Sequence, residues 1–358
     1  MLLSKFSAIK ISGVSVATPT GKIEVESYND VFGEDVVSKF IKMTGVKSIY
    51  RAVANQTASD LGFAAATNLL EKQDIDKEDI QVLIFVSQKT DFRVPSTAFH
   101  LHKKLDLPDN CLCFDINLAC SGYIYGLQTV FSLLNSAGGH KKALLITGDT
   151  SIKSLAPQDR SMSMLFGDSG SASLVEKTLS VDKISRFCFK SDGKRFKSII
   201  TPAGAYRNIG SPTKRVQWSD EIFRSDYDTH MKGMDVFGFS ITDVPKLMKD
   251  FLKELNKSEK DYDCFALHQA NSYILKHISR KVKIPAEKIP IALDRYGNNS
   301  SNSIPLVLAD TYGRKEGEKD IKIFMSGFGA GLSWACADLS IIPNAIHPII
   351  KTDLTYSN

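Results

Sequence analysis

Along the chain, short apolar runs of strand length alternate with segments whose apolar positions recur at helical spacing. The runs QVLIFVS (81–87), LCFDI (112–116), ALLITG (143–148) and SASLVE (171–176) predict buried strands, and ASDLGFAAATNLLEKQ between them has helical periodicity. The second half repeats this grammar. Helical TDVPKLMKDFLKELNKS leads to strand DCFALH, helices NSYILKHISRKV and IPLVLADTYG, and strands IKIFMSG and GLSWACADLSI. Such alternation is what a largely buried sheet covered by helices requires, so an α/β chain is expected. No low-complexity linker separates the halves, and the weakest patterning lies between about residues 176 and 230. The expected division is 1–178 and 179–358.

Composition agrees with that class. The chain has 358 residues, 43% hydrophobic and 24% charged, which is enough for two domain-sized cores. Its start, MLLSKFSAIKISGVSVATP, alternates like a strand, and no apolar run reaches the roughly 18 residues of a membrane span. A cytoplasmic address with no membrane partner is expected. Net charge is only +5, with 45 Lys and Arg dispersed among 40 Asp and Glu, so the balance gives no case for nucleic acid. The basic clusters KSDGKRFK (190–197) and Lys276, Arg280, Lys281, Lys283 suit either a solvated face or an acidic partner. Six cysteines with no CxxC pair, mostly inside apolar segments, are expected to be reduced.

The chemistry concentrates at a few places. Cys120 sits where a strand gives way to the helix SGYIYGLQTVFSLL, and free N–H groups at a helix N-terminus favour thiolate. Its small neighbours Ala119, Ser121 and Gly122 leave room for a substrate beside the sulfur. A buried structural cysteine is the alternative. His268 and Asn271, in LHQAN, follow an apolar strand, where α/β proteins present catalytic groups, although a hydrogen-bonded core histidine also fits. Asn298, in YGNNSSNS, suits a turn or cap as well as a site. SGFGAGLSW reads either as a hairpin turn or as a source of N–H groups for an oxyanion. LCFDINLACSGYIYGLQTV and DCFALHQANSYILKHI share a strand–turn–helix pattern, which would place Cys120 and His268 at equivalent strand ends of two packed halves. His100 and His102 lie on different faces of a helix with no third ligand nearby, so no metal site is expected, and Cys111 and Cys113 read as packing thiols.

Six ordered motifs, FRVPSTAFHLHKKL, FDINLACSGYIYGL, DRSMSMLFGDSGSASLV, LHQAN, YGNNSSNSIPLVLAD and GFGAGLSW, resemble β-ketoacyl-acyl carrier protein synthase III through almost the whole chain. The resemblance implies a thiolase-like fold, two pseudo-repeated αβ halves in a five-layer αβαβα arrangement, normally a homodimer. It implies that Cys120 carries the acyl group, that His268 and Asn298 polarise a malonyl thioester, and that the N–H groups of Cys120 and Ala330 form the oxyanion hole. Arg160, Phe237, Asn271 and Val94 are the implied substrate contacts. The implied reaction is acyl transfer from acyl-coenzyme A or an acyl-carrier donor, then decarboxylative condensation with malonyl-acyl carrier protein, with no cofactor or metal. Elongating synthases resemble this layout but use two histidines, and thiolases carry a second cysteine where Cys336 is followed by Ala337 and Asp338.

The chain departs from that pattern in several places. Lys39 and Met43 stand where the family has a nucleotide-holding Trp and Arg, Ser272 and Tyr273 where a basic carrier-docking residue is common, and Ala330 where Gly is usual. Val94 replaces a larger side chain that enters the neighbouring subunit's acyl pocket. The alternatives are a non-decarboxylating acyltransferase of the same fold and a catalytically inactive partner subunit.

Overall fold

Two sheets organise the chain. In the computed structural model, which describes residues 2–355 except 137, 138 and 219, the first half contains β1 (Ser4–Ser7), β2 (Ile9–Thr18), α1 (Glu34–Thr44), α2 (Ala58–Lys72), β3 (Ile80–Val86), α3 (Thr97–Leu105), β4 (Leu112–Ile116), α4 (Gly122–Asn135), β5 (Lys142–Asp149) and β6 (Ser169–Lys177). The second half contains β7 (Ile184–Ser191), α5 (Gly233–Glu254), β8 (Cys264–Leu267), α6 (Ser272–Val282), α7 (Ser303–Tyr312), β9 (Ile321–Gly329), β10 (Ser333–Ile341) and β11 (Ile350–Lys351). Shorter strands and turns connect them.

The sheet orders are β11-β2-β6-β5-β3-β4 and β1-β7-β10-β9-β8. In the first, β3 runs parallel to β4 and β5 while β5 and β6 are antiparallel. In the second, β8 is parallel to β9, and β9 is antiparallel to β10. β3 and β5 are buried on both faces, which is why they read as continuous apolar runs instead of alternating ones. α4 packs on both sheets, burying Tyr123, Leu127 and Phe131, and α7 likewise touches β2 and β8. α2 and α3 cover the outer face of the first sheet; α5 covers the second, with α6 packed on it. Helix, sheet, helix, sheet, helix is the expected five-layer arrangement. α2 starts on a reciprocal cap in which Thr57 and Asp60 accept from one another's backbone N–H groups.

The halves repeat, but with a different correspondence from the one the strand–turn–helix motif suggested. Sheet position and direction pair β2, β3, β5 and β6 with β7, β8, β9 and β10. Among the described residues the second half has no strand equivalent to β4. His268, just after β8, therefore corresponds to the end of β3 around Ser87, and Cys120, before α4, corresponds to the Asn298–Asn302 segment before α7. The two terminal strands cross over: β1 joins the second sheet beside β7, and β11 joins the first beside β2. A boundary near residue 178 separates the other strands of the two sheets.

Candidate active site

β9 runs past Cys120 so closely that only glycine fits. A Cβ at Gly329 would lie 2.6 Å from the Cβ of Cys120 and 3.1 Å from its sulfur, and one at Gly327 would lie 3.1 Å from its carbonyl oxygen. Pairing of β8 with β9 sets Leu267 opposite Ser326, and the His268 N–H donates to the Ser326 carbonyl at 2.8 Å. His268 thus emerges beside the strand that grips Cys120. Its ring meets Phe328 edge-on at 5.1 Å, it is 2% exposed, and its Nδ1 is buried with no hydrogen-bond partner among the described residues. An unpartnered buried nitrogen is expensive in a core and useful in a site.

Asn298 approaches from the third side. Its Oδ1 accepts the Ser300 N–H at 2.9 Å, which orients the amide and leaves its NH₂ without an acceptor among the described residues. The Ser300 hydroxyl stands 3.9 Å from the Cys120 sulfur. Behind it, Asp149 at the end of β5 accepts from the Ser87 hydroxyl at 3.1 Å, the Gln88 N–H at 3.3 Å, and both the N–H (3.2 Å) and hydroxyl (2.8 Å) of Ser301. That carboxylate ties the ends of β3 and β5 to the turn that carries Asn298. Sequence reasoning missed both Asp149 and Ser300. The signal for Asp149 was its place at the end of ALLITGD, the same logic that selected His268.

Burial works against the thiolate expected at the helix N-terminus. Burial, reinforced by the Asp149 carboxylate, pushes the Cys120 thiol up to about 12, although Ser300 and the residue's own N–H pull the other way. The helix N-terminus does not produce a resting thiolate. Burial alone brings His268 down to about 3. The resting pair is a neutral thiol and a neutral imidazole.

Cys120 opens on a cavity of about 70 Å³ that Lys89, Asp149, Phe166, Ser300 and Ala330 also line. His268 and Asn298 stand outside that lining. The backbone N–H groups of Cys120 and Ala330 donate to no carbonyl or side chain of another residue among the described residues. Ala330 sits at an ordinary backbone angle, because the positive φ of this turn falls on Gly331 (137°). Alanine where the family has glycine therefore meets no left-handed strain. A broader groove of about 460 Å³ between α2 and α3 holds none of these groups; it lies over Lys104, which is buried in an ion pair with Asp60.

The remaining expected contacts lie apart from the sulfur. Arg160 is exposed, its guanidinium donating to the Asp220 carbonyl at 3.2 Å and reaching Glu221 at 3.4 Å. Phe237 packs on Tyr273 and His277 and does not line the cavity, because the helix that carries it covers the outer face of the second sheet. The Asn271 side chain caps α6 by accepting the Ile274 N–H at 2.8 Å, which commits its oxygen. Val94 is 78% exposed and stands outside its own chain's cavity. Met43 is exposed on α1, as is Lys39.

Comparison with known proteins identifies the family. Residues 114–193 match 3-oxoacyl-[acyl-carrier-protein (ACP)] synthase III, and residues 252–341 match the C-terminal part of that family. A relative in Campylobacter jejuni is 36% identical over 345 residues, 94% of this chain and 95% of its own length. The beta-ketoacyl-[acyl-carrier-protein] synthase III of Lactobacillus helveticus is 31% identical, over 92% of this chain and 97% of its own. The crystal structure of 3-oxoacyl-(acyl-carrier protein) synthase from Burkholderia xenovorans LB400 superposes with a TM-score of 0.90 at 34% identity, covering 98% of this chain and 99% of that one. The chain belongs to the 3-oxoacyl-[acyl-carrier-protein] synthase III family of condensing enzymes.

Proposed function

We propose that the chain transfers an acyl group to Cys120 and condenses it with malonyl-acyl carrier protein, as a homodimer. The observation that carries this reading is the convergence, on one cavity, of the Cys120 sulfur and the two unclaimed N–H groups of Cys120 and Ala330.

In the first half-reaction the sulfur attacks the thioester carbonyl of the donor. The new S–C bond forms as the donor's C–S bond breaks, and the Cys120 proton leaves on the donor thiol. Negative charge on the tetrahedral oxygen is met by the two N–H groups, one on the turn before α4 and one on the turn between β9 and β10. In the second, loss of carbon dioxide from the malonyl group builds charge on its thioester oxygen. A neutral His268 and the free NH₂ of Asn298 donate to that oxygen. The enolate carbon attacks the acyl-cysteine carbonyl, the C–S bond to Cys120 breaks as the C–C bond forms, and the departing sulfur takes a proton from solvent to return to the thiol as the β-ketoacyl product leaves. Burial keeps the imidazole neutral, so it acts as a donor without first surrendering a proton to solvent. Both half-reactions balance with thiols, thioesters and carbon dioxide, so the proposal includes no cofactor. Arg160, with Phe237 and Tyr273 near the outer surface, is assigned to donor and carrier contacts, and Val94 to the partner subunit's pocket.

Intact-protein mass spectrometry after incubation with a panel of acyl-coenzyme A and acyl-carrier donors tests the first step. A thioester adduct that vanishes in Cys120→Ala is expected, and absence of an adduct with every donor would support an inactive subunit. His268→Ala should keep the adduct and lose release of carbon dioxide from malonyl-acyl carrier protein by at least a hundredfold. Release at the native rate in that variant would overturn the division of labour, and an adduct formed without any carbon dioxide release in the native protein would indicate a non-decarboxylating transferase.

A further inference from the structure

The wall of the Cys120 cavity contains a cation that the proposed chemistry does not use. Lys89 follows β3, on the strand end that corresponds to the one carrying His268 in the other half. It is half-buried, and its amine has no hydrogen bond or ion pair among the described residues. Asp149 is the one other charged residue lining the cavity. Asp149 is no partner within bonding reach, since its oxygens already accept from Ser87, Gln88 and Ser301. Burial lowers the Lys89 ammonium and only the more distant Asp149 charge supports it. Leaving an ammonium in a lined cavity without an acceptor is unfavourable, and a hydrocarbon acyl tail supplies none.

We infer that Lys89 selects a short primer acyl group ending in a carboxylate, which it binds at the far end from the Cys120 thioester. The inference rests on the reading of Cys120 as the acyl carrier. Three observations set the chemistry. The cavity opens on the sulfur but excludes His268 and Asn298, the pair assigned to the malonyl group, so its occupant is the acyl chain. Its volume of about 70 Å³ is room for only about five water-sized groups, which restricts the chain to four or five carbons. Of the polar side chains beside the lysine, Ser154 and Thr229 already bond to one another at 3.2 Å, which leaves the ammonium as the group for the end of the chain to meet. An ammonium–carboxylate hydrogen bond in that setting is charge-assisted, and the bound anion restores what burial takes from Lys89.

The test compares initial rates of Cys120 acylation by butanoyl-coenzyme A and by its terminally carboxylated counterpart, butanedioyl-coenzyme A, in one sample, read by intact mass without malonyl-acyl carrier protein. The native protein should favour the carboxylated donor at least tenfold. Lys89→Met should bring the ratio to one or below, and Lys89→Arg should retain a preference; because each protein serves as its own control, a general loss of folded enzyme cancels. A native ratio of one or less, or a ratio unchanged in Lys89→Met, would overturn the inference. Acylation by no donor at all would instead overturn the assignment of Cys120, a different result from acylation by the uncharged donor only.

Discussion

Cys120 and His268 share a site in which both are held neutral by the same cause, removal from water. A thiol pushed up to about 12 gives its thiolate only in proportion to hydroxide over the working range. Alkylation of Cys120 by iodoacetamide is therefore expected to rise about tenfold per pH unit from 6 to 9 with no inflection, followed by peptide mass mapping. An inflection near pH 7 would mean that the helix N-terminus wins after all. His268 makes a second prediction through linkage. Its folded value of about 3 lies below the ordinary 6.5, so between those values the unfolded chain binds more protons and stability falls as the medium is acidified. His268→Gln should flatten the loss of melting temperature between pH 6.5 and 4, and an unchanged slope would show that other groups carry it. Cys120, His268 and Asn298 were legible because each stands in a motif. Asp149, Ser300 and Lys89 were not, since their importance comes from contacts such as the one from Ser301 to Asp149 across 152 residues, which no local pattern contains.

At the scale of elements, what positions the site is the approach of β9 to the strand–turn–helix bearing Cys120. Gly329→Ala would place a methyl group 2.6 Å from the Cys120 Cβ, and one of the two elements would have to move. Because that displacement acts on the turn holding the sulfur and on the end of β9 that leads into Ala330, acylation should drop at least a hundredfold while far-ultraviolet circular dichroism stays close to native. Native acylation in that variant would show that the close approach is dispensable. The alternation of strands and helices could be read directly from the sequence, because buried parallel strands must be apolar throughout. The internal correspondence could not. Every βα unit of such a chain shares the strand–turn–helix pattern, and only the order of strands in each sheet pairs His268 with Ser87 instead of with Cys120.

On the scale of the molecule, the halves are bound together by more than the face between them. α4 and α7 bury their apolar sides on both sheets at once, and each sheet borrows a terminal strand from the other half. The C-terminal segment is further fastened to the first half, with the His347 N–H donating to Val14 and the Gln56 side chain to the carbonyls of Thr352 and Leu354. Unfolding should therefore be a single cooperative transition, and removal of residues 346–358 should lower the melting temperature of the whole protein without resolving it into two steps. Two separated transitions by calorimetry in the native protein would show that the halves are independent. The exchange of terminal strands also imposes a timetable on synthesis. β1 leaves the ribosome first, yet its partner, from Ile184 onward, follows only after roughly ten to forty seconds at about 5–20 residues per second. The first sheet waits longer still, for Ile350 and Lys351. For most of translation the nascent chain carries an open edge on β2 and an unpaired β1, a window in which a holding chaperone would find its substrate.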